Sequence, residues 1–139
     1  MARHVLIDTN ILVAFSFQHD VNHSRAVQLF RQLDGAFLHV ASPVLAEAFW
    51  LIAARVNYDR ALSLVRYTVQ NFTIENLMPA DYTRMFDIMR RYRDAELDFT
   101  DASIMALAER YAITEIATFD RRDFTLVTPS HAEHFTLLP

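Results

Sequence analysis

Four acidic side chains stand where the surrounding sequence predicts burial or the end of a strand. Asp8 directly follows a short apolar run, and Glu47 lies one turn into a helical pattern whose other residues are nearly all apolar. Asp101 opens another apolar helical run, and Asp120 comes just after a short strand-like segment. Carboxylates packed together in a partly apolar site repel one another and lose hydration, so such a group is tolerated when a cation binds between them.

The composition narrows the kind of cation and the kind of reaction. The 139 residues include no cysteine, and the six histidines show no pairing at metal-ligand spacing. Oxygen donors alone favour Mg²⁺ or Mn²⁺ over zinc. One or two such ions can orient a phosphodiester, lower the pKa of a bound water molecule and stabilise the leaving oxygen. We therefore interpret the four acids as candidate metal ligands and catalytic groups.

Each acid also has a purely structural interpretation. Asp8 could cap the helix that follows it, and Glu47 could pair with an arginine such as Arg55. Asp101 is favourable near a helix N-terminus because of the helix dipole, and Asp120 could be an ordinary turn residue. The four positions together are harder to explain by structure alone than any one of them.

Several other kinds of site are excluded by residues that the chain lacks. It has one glycine, whereas the phosphate-binding loops of P-loop and Rossmann proteins need several. It has no lysine, which excludes Schiff-base chemistry and disfavours phosphatases of the haloacid-dehalogenase type and phosphate-receiver domains. The net charge of −4 argues against broad capture of nucleic acid by overall charge.

Short strands are predicted to alternate with longer helices along the chain. This pattern is typical of a parallel sheet covered by helices on both faces, where ligands bind beyond the carboxyl ends of the strands. The four acids are therefore expected to meet at one rim. We predict strands at 4–7, 37–41, 73–77, 115–118 and 135–138, and helices at 10–17, 22–33, 43–56, 59–71, 79–92 and 101–110, with Ser42 and Thr100 as caps and Gly35 ending the second helix.

Four short motifs in this order resemble the acidic blocks of PIN-domain proteins. They span residues 5 to 124, which is nearly the whole chain. The motifs are Val5-Leu-Ile-Asp8-Thr9-Asn10, then Pro43-Val-Leu-Ala-Glu47, then Asp98-Phe-Thr-Asp101-Ala-Ser-Ile-Met-Ala-Leu-Ala-Glu, and last Ile116-Ala-Thr118-Phe-Asp120-Arg-Arg-Asp123-Phe.

The resemblance implies an α/β/α sandwich with a central, mainly parallel sheet, formed by residues 1–139 as a single domain. It implies a metal-dependent endoribonuclease that hydrolyses RNA phosphodiesters with a metal-activated water molecule. The implied acidic site, which would take Mg²⁺ or Mn²⁺, consists of Asp8, Glu47, Asp101 and Asp120. The residues implied to support this site are Thr9, Asn10, Asp98, Thr118 and Asp123.

The fourth acidic position has two candidates, because Asp123 competes with Asp120. Phe124 follows Asp123 and suggests a structural anchor there, so Asp120 is preferred. Arg121 and Arg122 flank Asp120, and they are candidates for binding the phosphates of RNA.

Within the family, this compact single domain most resembles the VapC-type toxins of bacterial toxin–antitoxin pairs. This resemblance implies an RNA substrate, a cognate antitoxin protein and a homodimer, and the apolar segment 49–67 is a candidate surface for a protein partner. No stretch reaches the roughly 20 apolar residues of a membrane span, and no signal peptide is recognisable. We therefore expect a cytoplasmic protein that does not engage a membrane.

Two alternatives remain at this point. One is a catalytically weak or inactive PIN-like module that acts mainly through protein or RNA binding, which would be expected to lack one or more of the four acids. The other is a deoxyribonuclease of flap type, which usually carries further acids and helices for which 139 residues leave little room.

Overall fold

The computed structural model describes residues 2–139, which form five strands and seven α-helices. The strands are β1 His4–Ile7, β2 Phe37–Ala41, β3 Thr73–Glu75, β4 Glu115–Ala117 and β5 Thr136–Leu138. The helices are α1 Thr9–Ser16, α2 His23–Gln32, α3 Ser42–Arg55, α4 Tyr58–Asn71, α5 Pro79–Arg91, α6 Phe99–Tyr111 and α7 Arg121–Leu126, and a 3₁₀ turn at Arg93–Ala95 precedes α6.

The strands form one sheet in the order β3-β2-β1-β4-β5, and every neighbouring pair is parallel. The chain builds outward from β1 through β2 to β3, and then crosses back to lay β4 and β5 on the other side of β1. The strand order therefore reverses between β1 and β4. In open parallel sheets this reversal leaves a crevice outside the carboxyl ends of the two strands, and ligands bind there.

Helices cover both faces of this sheet, and the predicted α/β/α sandwich is confirmed. Right-handed crossovers place the helices of the outward run on one face and those of the return run on the other. In agreement, α1 packs on α2 and α3, α3 packs on α4, and α5 packs on α6. The sheet is wholly parallel, where the sequence predicted a mainly parallel one.

The hydrophobic core is centred on β1. Val5, Leu6 and Ile7 are fully buried, because β1 has a strand on each side and helices above and below. A strand buried on both faces needs an uninterrupted apolar run, which is what the sequence supplies. From α6, Ile104 and Leu107 are also completely buried in the core.

Most element bounds lie within two residues of the predicted ones, and two of the differences change the cap of a helix. The cap of α3 is Ala41 rather than Ser42, which is already helical. The cap of α6 is Asp98 rather than Thr100, because the Asp98 carboxylate accepts a hydrogen bond from a backbone N–H of the first turn. The six-residue helix α7 was not predicted, since it is too short to show a periodic pattern.

Gly35 lies in the turn between α2 and β2 with a φ of +85°, as expected for the residue that reverses the chain after a helix. No helix within residues 2–139 combines the length and the apolar character needed to cross a membrane.

Replacing Leu6 with alanine should lower the free energy of unfolding by about 2–5 kcal/mol, because the cavity would open in the central strand. Leu62→Ala is the matched control, since Leu62 on α4 is 46% exposed and its loss should cost less than about 0.5 kcal/mol. Urea denaturation followed by circular dichroism measures both changes. Equal effects of the two substitutions would contradict the placement of β1 at the centre of the core.

Candidate active site

A cleft of about 190 Å³ opens at the carboxyl ends of β1 and β4, in the crevice left by the reversal of strand order. Its walls are unusually acidic, and they come from the loops and helix starts that follow the central strands. The residues that line the cleft are Asp8, Thr9, Asn10, Val13, Asp20, Asn22, Glu47, Leu51, Arg55, Asp98, Asp101, Phe119 and Asp120.

Asp8 is held rigidly at the end of β1. One carboxylate oxygen accepts a hydrogen bond from the N–H of Thr9 at 2.7 Å, and the other accepts one from the hydroxyl of Thr118 at 2.7 Å. Asp8 is thus the cap of α1, as its structural interpretation predicted. It also lines the cleft, so the two interpretations of this residue are compatible. Burial, with a smaller contribution from the charges of Glu47 and Asp98, raises the pKa of Asp8 to about 6, although both hydrogen bonds oppose the shift.

A small polar network ties the end of β1 to the loop after β4. The Thr118 hydroxyl that donates to Asp8 also lies 3.3 Å from the amide nitrogen of Asn10 and accepts from the N–H of Asp120 at 3.0 Å. The Asn10 side-chain oxygen accepts from the N–H of Phe119 at 3.1 Å. Thr118 and Asn10, both predicted as supporting residues, thus link Asp8 to the loop after β4. Thr9, also predicted as a supporting residue, lines the cleft, and its hydroxyl has no partner within residues 2–139.

Glu47 projects into the cleft from the second turn of α3, and its partner is a residue on another helix. The hydroxyl of Thr100 donates to a Glu47 carboxylate oxygen at 2.9 Å, and Thr100 is itself buried. No ion pair joins Glu47 to Arg55 in the part of the chain that the structure describes. Thr100 was predicted as a helix cap, and its role toward Glu47 leaves no signal in a single sequence because it depends on how α3 meets α6.

Asp101 lies in the first turn of α6, and a neighbouring acid fixes its backbone. Its N–H donates to the carboxylate of Asp98 at 2.7 Å. Burial, together with the negative charges of Asp8, Asp98, Asp120 and Asp123, raises the pKa of Asp101 to about 8. Without a cation, Asp101 is therefore largely protonated at neutral pH.

Both candidates for the fourth acid approach Asp101. Carboxylate oxygens of Asp101, Asp120 and Asp123 all lie within 4.8 Å of one another. Asp120 caps α7 by accepting from the N–H of Arg122 at 3.2 Å. One oxygen of Asp123 is buried without a hydrogen-bond partner within residues 2–139, and burial raises the pKa of this residue. Phe124 is almost fully buried beside it, as expected of an anchor.

The two arginines predicted to bind RNA lie outside the cleft walls. Arg121 and Arg122 are exposed in the first turn of α7, and Arg121 donates to the carbonyl oxygen of Pro139 at 3.3 Å. The arginine that does line the cleft is Arg55, and Asp20 is a further acid there that the motifs did not indicate. A signal for Arg55 was available, since it follows Glu47 by eight residues and such positions share one helix face.

Comparison with known proteins agrees with this architecture and site. A family model for the PIN domain matches residues 5–128. The chain belongs to the PIN domain family. The resemblance carried by the four acidic motifs is therefore confirmed.

Individual relatives of this PIN domain are found by sequence and by structure. The chain is 30% identical to ribonuclease VapC26 of Mycobacterium tuberculosis, over 97% of this chain and 100% of that protein. Its fold matches VapC20 of the same organism, described as a sarcin–ricin loop cleaving toxin, with a TM-score of 0.82, 19% identity and coverage of 92% of this chain and 98% of VapC20. It also matches a toxin–antitoxin complex from Klebsiella pneumoniae with a TM-score of 0.64, 23% identity and coverage of 86% and 89%.

The acidic site of this PIN domain fits a divalent cation that prefers oxygen ligands. Its close carboxylates include one buried oxygen, on Asp123, with no partner in the described residues, and a second acid, Asp101, whose pKa is raised by its acidic neighbours. Both features are unfavourable in the protein alone, and both are relieved when a cation enters. The donor set contains only oxygen atoms, which suits a hard cation.

The raised pKa values predict how stability depends on pH when metal is removed. The pKa of Asp101 is about 8 in the folded chain, and its ordinary value is 3.8. Between these two pH values the folded chain therefore binds more protons than the unfolded chain. The free energy of unfolding falls as pH rises through this range. In EDTA at pH 8, Asp101→Asn should therefore exceed the wild type in stability by on the order of 2 kcal/mol, and by little at pH 4.

Urea denaturation at both pH values measures this difference. Mg²⁺ or Mn²⁺ should stabilise the wild type at pH 8 and leave Asp101→Asn nearly unchanged. Asp87→Asn, at an exposed acid on α5, is the control that should show neither effect. If the stability of the wild type and of Asp101→Asn had the same pH dependence, the raised pKa of Asp101 would be contradicted.

The hydroxyl of Thr118 should control the ionisation of Asp8. Thr118→Val removes a hydrogen bond that favours the carboxylate, so the pKa of Asp8 should rise further above about 6. Thr118→Ser keeps the hydroxyl and should leave the pKa nearly unchanged. Carboxyl ¹³C NMR titration in EDTA measures both variants, and an equal shift in the two would show that the hydroxyl is not the cause.

Proposed function

We propose that this PIN domain, acting as the single domain 1–139, is a metal-dependent endoribonuclease and the toxin of a type II toxin–antitoxin pair. The proposal rests above all on the convergence of Asp8, Glu47, Asp101 and Asp120 on one cleft at the carboxyl ends of the central strands. The 30% identity to ribonuclease VapC26 over nearly the whole chain supports RNA as the substrate class.

The acidic side chains have distinct tasks in this proposal. Asp101, Asp120 and Asp123 offer oxygens close enough to share one cation, and Asp8 and Glu47 complete the negative walls around it. A bound Mg²⁺ or Mn²⁺ would polarise the phosphodiester and lower the pKa of a water molecule. We infer that Asp98 positions Asp101, and that Thr118 and Thr100 fix the carboxylates of Asp8 and Glu47.

The reaction is hydrolysis of a phosphodiester bond in RNA. Water adds to the phosphorus, and the bond to the 3′ oxygen breaks, so that one product carries a 5′-phosphate and the other a 3′-hydroxyl. The carboxylates provide a binding geometry that exists before substrate arrives, because those of Asp8 and Glu47 each accept a hydrogen bond and the backbone N–H of Asp101 is held by donation to Asp98. Such preorganisation reduces the reorganisation needed in the transition state.

Protein partners are part of the same proposal. The matching complex from Klebsiella pneumoniae is a toxin–antitoxin complex, which supports an antitoxin as a partner here. Large apolar side chains are exposed on α3 and α4, among them Trp50 at 66% and Tyr58 at 62%, and they provide a surface for it. A homodimer would bury further exposed groups such as Phe86 on α5. Because the proposed substrate is RNA, we place the activity in the cytoplasm.

Cleavage of RNA should depend on metal and on the acidic cleft. Purified protein incubated with total bacterial RNA and Mg²⁺ or Mn²⁺ should produce discrete cuts, mapped by sequencing the new ends, and EDTA should abolish them. Asp8→Asn and Asp101→Asn should reduce the cleavage rate by about 100-fold or more, because each removes a carboxylate from the centre of the site.

Asp87→Asn is the matched control, since it removes an exposed carboxylate outside the cleft and should cut like the wild type. Circular dichroism verifies that all variants are folded. Absence of cuts from folded wild-type protein, with metal binding retained, would contradict the proposal and favour a PIN-like module that acts by binding.

A further inference from the structure

One face of α3 forms a continuous wall of the acidic cleft. Glu47, Leu51 and Arg55 follow one another at intervals of four residues, and all three line the cleft. Eight residues of helix extend about 12 Å, so this wall runs about 12 Å along α3 from Glu47 to Arg55. The wall thus changes from an acid to an apolar side chain to a cation.

Arg55 is a cation that the folded chain leaves free. It is exposed in the last turn of α3, and it forms no ion pair with any acid of residues 2–139, although the lining of the cleft it shares includes several acids. Arg3, Arg84 and Arg110, in contrast, are each paired with a carboxylate. A favourable interaction with the helix dipole accounts for a basic residue at this end of α3, but it does not use the guanidinium donors.

Two arginines near the cleft, Arg25 and Arg121, are already engaged. The Arg25 guanidinium lies 4.8 Å from the centre of the Phe119 ring and donates to Asn22 at 3.1 Å. Arg121 donates to the carbonyl oxygen of Pro139. Of the arginines in residues 2–139, Arg55 is the one that lines the cleft. Its guanidinium N–H groups are available to bind an anion from solvent.

Apolar side chains also line the cleft, and one of them, Leu51, lies between Glu47 and Arg55 on α3. Val13, Leu51 and Phe119 line the cleft together with the charged groups. A nucleic acid strand offers the complementary pattern, with anionic phosphates separated by sugars and bases that make apolar contacts. The guanidinium fork matches a phosphate because it can donate two parallel hydrogen bonds to it.

We propose that Arg55 binds an RNA phosphate next to the scissile one, so that the RNA strand runs along α3 from Glu47 past Leu51 to Arg55. This proposal rests on the ribonuclease function proposed above and adds the direction in which the strand crosses the cleft. Arg55 acts in binding and positioning, while the bond is broken at the acidic centre.

The test compares Arg55→Gln and Arg55→Lys with Arg66→Gln, which removes an exposed arginine of α4 that does not line the cleft. The substrate is a short RNA spanning a cut made by the wild type. Arg55→Gln should raise KM about tenfold and leave kcat within about twofold. Arg55→Lys should recover part of the loss, since it restores the charge but not the fork. Arg66→Gln should match the wild type.

A second measurement identifies the phosphate. Neutral methylphosphonate groups replace the phosphates of the substrate one at a time. A methylphosphonate at one position beside the cut should weaken substrate binding by the wild type about as much as Arg55→Gln does. The same methylphosphonate should cause no further loss of binding in Arg55→Gln. The plot of log affinity against log salt concentration has a negative slope. In Arg55→Gln this slope should become shallower by about 0.7, as expected for one lost contact with single-stranded RNA.

The outcomes separate this proposal from the one on which it rests. If the wild type cuts RNA and Arg55→Gln has the KM and salt dependence of Arg66→Gln, Arg55 does not bind the substrate and this inference alone is wrong. The same conclusion follows if the methylphosphonate losses add to that of Arg55→Gln at every position. If the wild type neither binds nor cuts RNA, both proposals are wrong.

Discussion

Repulsion between carboxylates at the crevice between β1 and β4 is the constraint to which the surrounding structure is adapted. Asp8, Asp98 and Asp120 are each the cap of a helix that starts at this rim, and backbone N–H groups donate to all of them. The positive ends of three helix dipoles therefore face the same acidic cleft and offset part of its charge. The fold concentrates acids here by giving several of them a structural partner.

Part of the negative charge in the cleft is not neutralised by the protein alone. Asp101 and Asp123 have raised pKa values, and one Asp123 oxygen is buried without a partner among residues 2–139. Strain of this kind is common at functional sites, where a ligand relieves it and overall stability is lower without the ligand. The same groups that weaken the metal-free protein are those best able to hold a cation.

Much of the fold and site could be predicted because the signals are local. The apolar run ending at Asp8 marks a buried central strand, and the isolated charge of Glu47 marks a helix face that meets a site. The partners of these residues could not be predicted, because they depend on tertiary packing. Thr100 reaches Glu47 only where α3 and α6 meet, and the approach of Asp123 to Asp101 needs the unpredicted helix α7.

The central position of β1 has a consequence for how the site comes into being. β1 is flanked by β2 on one side and by β4 on the other, and Asp8 accepts a hydrogen bond from Thr118, which lies 110 residues later. Contacts of such long sequence separation form slowly and late in folding. During synthesis, a nascent chain has no complete cleft until the segment after β4 has left the ribosome. The order of translation thus keeps the site unassembled until β4 and Thr118 have been made.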